Sequence, residues 1–259
     1  MSDSAGSLTQ SSTEQHPGSG APAAGANPLS VHINADGRQV WLMLREPRLL
    51  RQWHGWDADT LDEEIRSIYF APSVVEGPDH TSLTVDGGDT FRIKPARDGV
   101  EVTIERVEAE PDEITEGWIT FLQQLRFALE RHPSGTRRTA FFSGEPADGE
   151  SIIEKLNAEQ LQQPGDSYSL NLPNSHELTG SVWFRTDHQL GLTVSGYADH
   201  GEGLVIVADA PSLERRSSLA VISTYGLGAH ALHSAWESWD SFRQQHYPSS
   251  GPLETSKVD

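Results

Sequence analysis

The sequence predicts an α+β protein built as two units, each an antiparallel strand meander closed by a long amphipathic helix. Three observations carry this. The first is EGWITFLQQLRFALERH at 116–132, where Trp118, Leu122, Leu125 and Leu129 recur at i, i+4, i+7 and i+11 on one helical stripe. The second is GVEVTIERV at 99–107, where Val100, Val102 and Ile104 alternate with Glu101, Thr103 and Glu105. The third is that the second half repeats the order of the first and ends on another Trp-rich helix, ALHSAWESWDSFRQQHYP at 231–248.

From the amino terminus, LSVHI reads as a short strand, followed by a helix that Asp36 caps and that carries Val40, Trp41 and Leu44. Pro47 suits the first position of a second helical piece bearing Leu49, Leu50 and Trp53. Four runs then read as strands: EIRSIYF (64–70), HTSLTV (80–85), DTFRIK (89–94) and GVEVTIERV, separated by EGPD, DGG and ARDG turn signals. In the closing helix Asp112, Glu113 and Glu116 complement the dipole at the start, and Arg131 and His132 do so before Pro133. Phe127 lies half a turn from the Trp118 stripe, so it requires a second apolar neighbour or stays exposed.

Beyond HPSGT (132–136), RRTAFFS reads as a strand and GESIIEKLNAEQL (149–161) as a helix. A five-strand meander follows: SYSLNL, ELTGSVWFR, QLGLTVSGY, GLVIVAD and SSLAVISTYG. The expected organisation is a disordered tail at 1–26, units at 27–133 and 134–248, and a second disordered tail at 249–259. The tails are too poor in apolar residues to offset their ordering entropy.

Composition excludes several functions. There are no cysteines, which removes disulfides, thiolate nucleophiles and cysteine-based zinc sites. The formal net charge is -19, with acidic residues in excess in both halves, so nucleic acid and anionic membrane surfaces are not expected partners. Without an apolar run of spanning length, the expectation is a cytoplasmic protein with no membrane insertion. No cofactor motif is present.

Two motifs in order give a resemblance. Glu46, Pro47, Leu50 and Trp53 followed by Glu116, Gly117, Trp118, Leu122 and Leu125 resemble the domain named for activators of heat-shock-protein ATPases, in the START-like superfamily called SRPBCC. The resemblance covers about residues 27–132, with 137–248 as a diverged second copy matched by element order. It implies a helix-grip fold: a curved antiparallel sheet around a carboxy-terminal helix, with a cavity for a small hydrophobic ligand between them. The residues placed at that cavity are Trp53, Trp56, Tyr69, Phe91, Trp118 and Phe121 in the first unit, and Trp183, Tyr197, Trp236 and Trp239 in the second. Some relatives act as polyketide aromatases or cyclases, and for that reading His54, Tyr69 and Arg92 are the candidate proton-handling residues. A chaperone partner is the third implication.

No metal site is expected. Asp57, Asp59, Asp62, Glu63 and Glu64 lack the glycine and terminal glutamate of a calcium loop, and His230 and His233 at i, i+3 lack a third ligand. The loop at 196–203, with Asp199, His200 and Glu202, reads as a hairpin turn.

Overall fold

The computed structural model describes residues 29–108, 113–209 and 217–256. The expectation for residues 1–26 therefore lies outside the described residues, as do Asp112 and 257–259.

Local signals place the first elements. After β1 (Ser30–Ile33), Asp36 starts α1 (Gly37–Arg45): its carboxylate accepts from the Gln39 amide at 2.8 Å, and Gln39 Oε1 accepts from the Asp36 amide at 3.1 Å. This reciprocal cap satisfies two amides that the first turn leaves without partners. Pro47 opens α2 (Pro47–Leu50). The run EIRSIYF departs from expectation, because residues 61–69 form α3 (Leu61–Tyr69) and not a strand. Leu61, Ile65 and Tyr69 bury at four-residue spacing, and Asp62, Glu63 and Glu64 occupy the first turn. That period and the dipole outweigh the local β-propensity of Ile and Tyr.

β2 (Val75–Glu76), β3 (Ser82–Thr84), β4 (Thr90–Ala96) and β5 (Gly99–Glu105) complete a five-stranded antiparallel sheet in the order β1-β5-β4-β3-β2. Phe91, Ile93, Val100, Val102 and Ile104 face inward, and α4 (Glu113–Arg131) closes the unit with Trp118, Leu122, Leu125 and Leu129 buried in the same core.

The second unit runs β6 (Arg137–Gly144), α5 (Ile152–Lys155), β7 (Ser167–Leu172), β8 (His176–Arg185), β9 (Gln189–Ser195), β10 (Glu202–Asp209), β11 (Ser218–Tyr225) and α6 (Ala229–His246). The helix expected over 149–161 is one turn: Asn157 takes a left-handed backbone (φ 53°), and Leu156, Ala158 and Leu161 bury from irregular chain. The disordered tail expected from residue 249 is also corrected. Glu254 and Thr255 form β12 (Glu254–Thr255), which pairs with Phe141 and Ala140 on the β6 edge. The sheet order is β12-β6-β11-β10-β9-β8-β7. Trp236, Trp239 and Phe242 of α6 pack over its inner face with α5. The molecule is a tandem helix-grip fold, each sheet carrying its own closing helix.

The requirement on Phe127 is met from the other unit. Its ring is fully buried, 5.1 Å from Trp183 and 5.8 Å from Tyr225. Burial of such a ring contributes about 2 kcal/mol. A bulge between Val182 and Phe184 turns Trp183 and Phe184 toward the first unit's core. Gly191 is needed there, since a Cβ would lie 2.3 Å from the Phe184 ring. Helix α4 is thus covered twice, by its own sheet on the Trp118 stripe and by the outer face of the second sheet on the Phe127 side.

Candidate functional site

The first unit gathers five of its six aromatic residues singled out from the sequence into one cluster, and His54 is its polar centre. α2 and the turn after it deliver Trp53 and His54, α3 delivers Tyr69 and Glu64, β4 delivers Phe91, and α4 delivers Trp118 and Phe121. The His54 ring lies 5.2 Å from Tyr69, 4.6 Å from Phe121 and 6.4 Å from Trp118. Trp53 meets Tyr69 and Phe91 edge to face, and Phe91 meets Trp118 in the same way at 5.3 Å. Both large indoles are satisfied within the protein: Trp53 Nε1 donates to the Met43 carbonyl at 2.9 Å, and Trp118 Nε1 to Asp89 at 2.8 Å.

His54 and Tyr69 are fully buried and hydrogen-bonded, with Nδ1 3.0 Å from the Tyr69 hydroxyl and Nε2 3.0 Å from Glu64 Oε1. Burial, reinforced by the Glu64 charge, pushes the Tyr69 phenol well above its usual range, so it stays protonated. One assignment satisfies all three groups: Tyr69 donates to Nδ1, and Nε2–H donates to the half-exposed Glu64. This is a short hydrogen-bonded chain from the surface into the core. Glu64 was legible only as one of an acidic run.

Other candidates fall elsewhere. Arg92 projects from the opposite face of β4 to Phe91, is half-exposed, and pairs with Glu105 at 2.8 Å, away from His54 and Tyr69. Trp56 stacks on Phe141 of β6 at 3.6 Å and donates to Glu254 at 2.9 Å. Trp183 is not beneath α6 but at the seam between the units, with Arg126 over its ring at 4.3 Å. Tyr197 is beneath α6, where its hydroxyl receives the Trp239 indole N–H at 3.0 Å. Asp57 and Asp62 pair with Arg51, and exposed His233 pairs with Glu237 at 3.2 Å. Among the described residues no group of three or more potential metal ligands occurs.

The segment 52–57 serves chiefly as a joint. Gln52 Oε1 accepts the Arg137 amide at 3.0 Å, the Gly55 carbonyl accepts Arg137 Nη2 at 2.8 Å, and the Asp57 amide donates to Thr139 at 2.7 Å. The Arg137 guanidinium is buried between the units, bonding also to Gln124 and, at 3.1 Å, to Ser223. Ser256 just beyond β12 reaches back to Asp57.

Open space lies at the other end of the first sheet. A mainly apolar cleft of about 990 Å³ runs between α1, the segment 34–36, the turn 79–81 and the tip of the β4–β5 hairpin. Ile93, Pro95 and Val100 form one wall and Trp41 and Leu42 the other, with Asp36, Arg38, Asp79 and His80 around the rim. Helix α4 contributes nothing to its lining. The His80 imidazole stacks on Trp41, with centroids 4.6 Å apart and planes at 16°. Sequence reading placed Trp41 on the helix stripe and His80 at a strand start. Nothing local signals that they meet across 39 positions.

No protein-family model matches the chain, and no curated protein matches it. Solved structures similar to it include DynU16, from the dynemicin biosynthetic locus, at 14% identity over 83% of this chain and 96% of that one, with a TM-score of 0.29. Two others are described as di-domain ARO/CYC proteins. StfQ, from the steffimycin biosynthetic pathway, has 10% identity, coverage of 80% and 87%, and a TM-score of 0.32. BexL, from the BE-7585A biosynthetic pathway, has 10% identity, coverage of 81% and 92%, and a TM-score of 0.29.

Proposed function

We propose that this chain is a two-unit helix-grip protein that binds a small hydrophobic ligand in the cleft between α1 and the first sheet. The observation that carries the reading is the cleft itself: about 990 Å³, chiefly apolar and edged by a few polar groups, which is the size and character of a small-molecule site. The space beneath α4 is occupied by Trp53, Tyr69, Phe91 and Trp118, and α4 is held from both sides, which favours access on the α1 side. Calorimetric titration of the full chain with the neutral probe 2-naphthamide tests it. Saturable binding that Leu42→Gln weakens severalfold supports the cleft. Absence of binding at millimolar probe, together with enrichment of a chaperone in a pull-down, would replace the ligand reading with that of an interaction module.

A second reading, an enzyme of the aromatase/cyclase type, is favoured by the hydrogen-bonded His54, Tyr69 and Glu64. A phenol that stays protonated can give its proton to a developing enolate, leaving a phenolate that regains a proton from solvent once the aromatic cluster parts, while His54, bonded to Glu64, holds the hydroxyl in place. The pair is sealed in the structure, so catalysis there requires the aromatic cluster to part. Cyclisation of a poly-β-ketone chain that Tyr69→Phe and His54→Gln reduce at least tenfold, while both variants stay folded, would establish it.

A further inference from the structure

The cleft has a specific guest chemistry, and the inference rests on the ligand-binding reading above. Trp41 and His80 both line the cleft, and their rings stack nearly parallel, so the His80 imidazole covers one face of the Trp41 indole. The imidazole is held by little else. Among the described residues neither Asp79 nor His80 makes a side-chain hydrogen bond or ion pair, and His80 is exposed. Both have left-handed backbones, with φ of 51° and 58°. Such conformations are costly for residues with a Cβ and mark a turn that its surroundings must hold in place. The second unit supplies the contrast. Its turn Pro173–Ser175 has the same pair of left-handed residues at Asn174 and Ser175, with φ of 63° and 58°, but there Asn174 is tied to α6 through Ser241 at 2.9 Å.

The rim charges separate by role. Asp36 is committed to capping α1. Asp79 belongs to the turn that carries His80 and leaves with it. Arg38 lies in the first turn of α1 at the cleft edge, and its guanidinium has no hydrogen-bond or ion-pair partner among the described residues. In a chain of net charge -19, that leaves one cationic group facing an apolar slot once the turn swings out.

We propose that the cleft takes a small planar aromatic anion, whose ring replaces the His80 imidazole on Trp41 and whose charge meets Arg38. His80 is then a built-in competitor: the empty site is covered, and a guest must displace the imidazole.

The test titrates the full chain with 2-naphthoate and, in parallel, neutral 2-naphthamide. Naphthoate is expected to bind about fivefold more tightly than the amide, and Arg38→Gln to remove that advantage while leaving amide binding in place. His80→Ala is expected to tighten both probes by about three- to tenfold, as removal of a competing closed state requires. Both substitutions are at exposed positions, so loss of fold does not confound them. Amide binding with no preference for naphthoate, or indifference to Arg38→Gln, overturns the anion assignment and leaves the ligand-binding reading standing. Weaker binding in His80→Ala overturns the competitor role. Failure of both probes in every variant removes the cleft as a ligand site.

Discussion

Arg137 shows how a buried charge can be held without a carboxylate. Its guanidinium meets the carbonyl of Gly55, the side-chain oxygen of Gln124 and the hydroxyl of Ser223, and burial lowers its pKa against the opposing charge of Asp57. Three donors in a fixed fork reach three acceptors on different elements, a geometry that a lysine ammonium does not match. Arg137→Met is expected to lower stability by about 2 kcal/mol, read as a drop in urea midpoint, and Arg137→Lys to recover little of it. An unchanged midpoint for both would mean that these bonds contribute nothing net. Nearby Tyr225 has the opposite character. Its hydroxyl is buried with no hydrogen-bond partner among the described residues, and burial raises its pKa to about 12. Tyr225→Phe should therefore leave the melting temperature unchanged or raise it, by about 1 kcal/mol of stability, since it removes a desolvated hydroxyl and keeps the stacking on His132.

Among the elements, the carboxy-terminal strap is the one whose removal is most informative. β12 covers the edge of β6, Glu254 receives the Trp56 indole, and Ser256 bonds to Asp57 and Thr139. Deleting residues 253–259 frees the β6 edge and one side of the 52–57 joint. The expected result is a red-shifted tryptophan emission from Trp56 and faster proteolytic cleavage between 52 and 60, with the second core still folded. Cleavage elsewhere, at the intact rate in 52–60, would show that the strap is not part of the joint. The strap also marks a limit of sequence reading. α4, β5 and α6 were legible because their apolar residues repeat with a clear period over several turns or alternations. β12 was not, because a two-residue strand has no period and orders only through an edge formed more than 100 positions away. α3 reads locally as a strand because Ile65, Ile68, Tyr69 and Phe70 give the run 64–70 a strand-like composition, and only the spacing of four that links Leu61, Ile65 and Tyr69 distinguishes the helix. The same division runs through the site. His54 and Tyr69 stood out as polar groups among aromatics, whereas the Trp41–His80 stack is a tertiary contact between two unremarkable local signals.

At the scale of the whole molecule, α4 belongs to both units. Phe127, Thr120 and Gln124 meet the second unit, while the Trp118 stripe meets the first, so neither unit can unfold without uncovering apolar surface on the other. Calorimetry should give one transition, and two separated ones would refute the coupling. Acid should weaken this single unit in a defined window. His132, His176 and His246 all have pKa values lowered from the usual 6.5, each mainly by burial, and His132 sits at the joint itself, stacked on Tyr225 at 3.9 Å and donating to the Glu202 carbonyl at 2.7 Å. Below pH 6.5 the unfolded chain takes up protons at these positions before the folded chain does, so the unfolded state is favoured progressively as pH falls. The slope should set in as pH falls below 6.5, before the many carboxylates titrate and relieve the chain's negative self-repulsion. His132→Gln, which keeps a donor near Glu202 and cannot charge, should flatten part of that slope while changing stability at pH 8 much less. A urea midpoint that stays level from pH 8 to 5 would show that these half-buried histidines take up protons equally in both states, and one that rises would reverse the sign of the linkage.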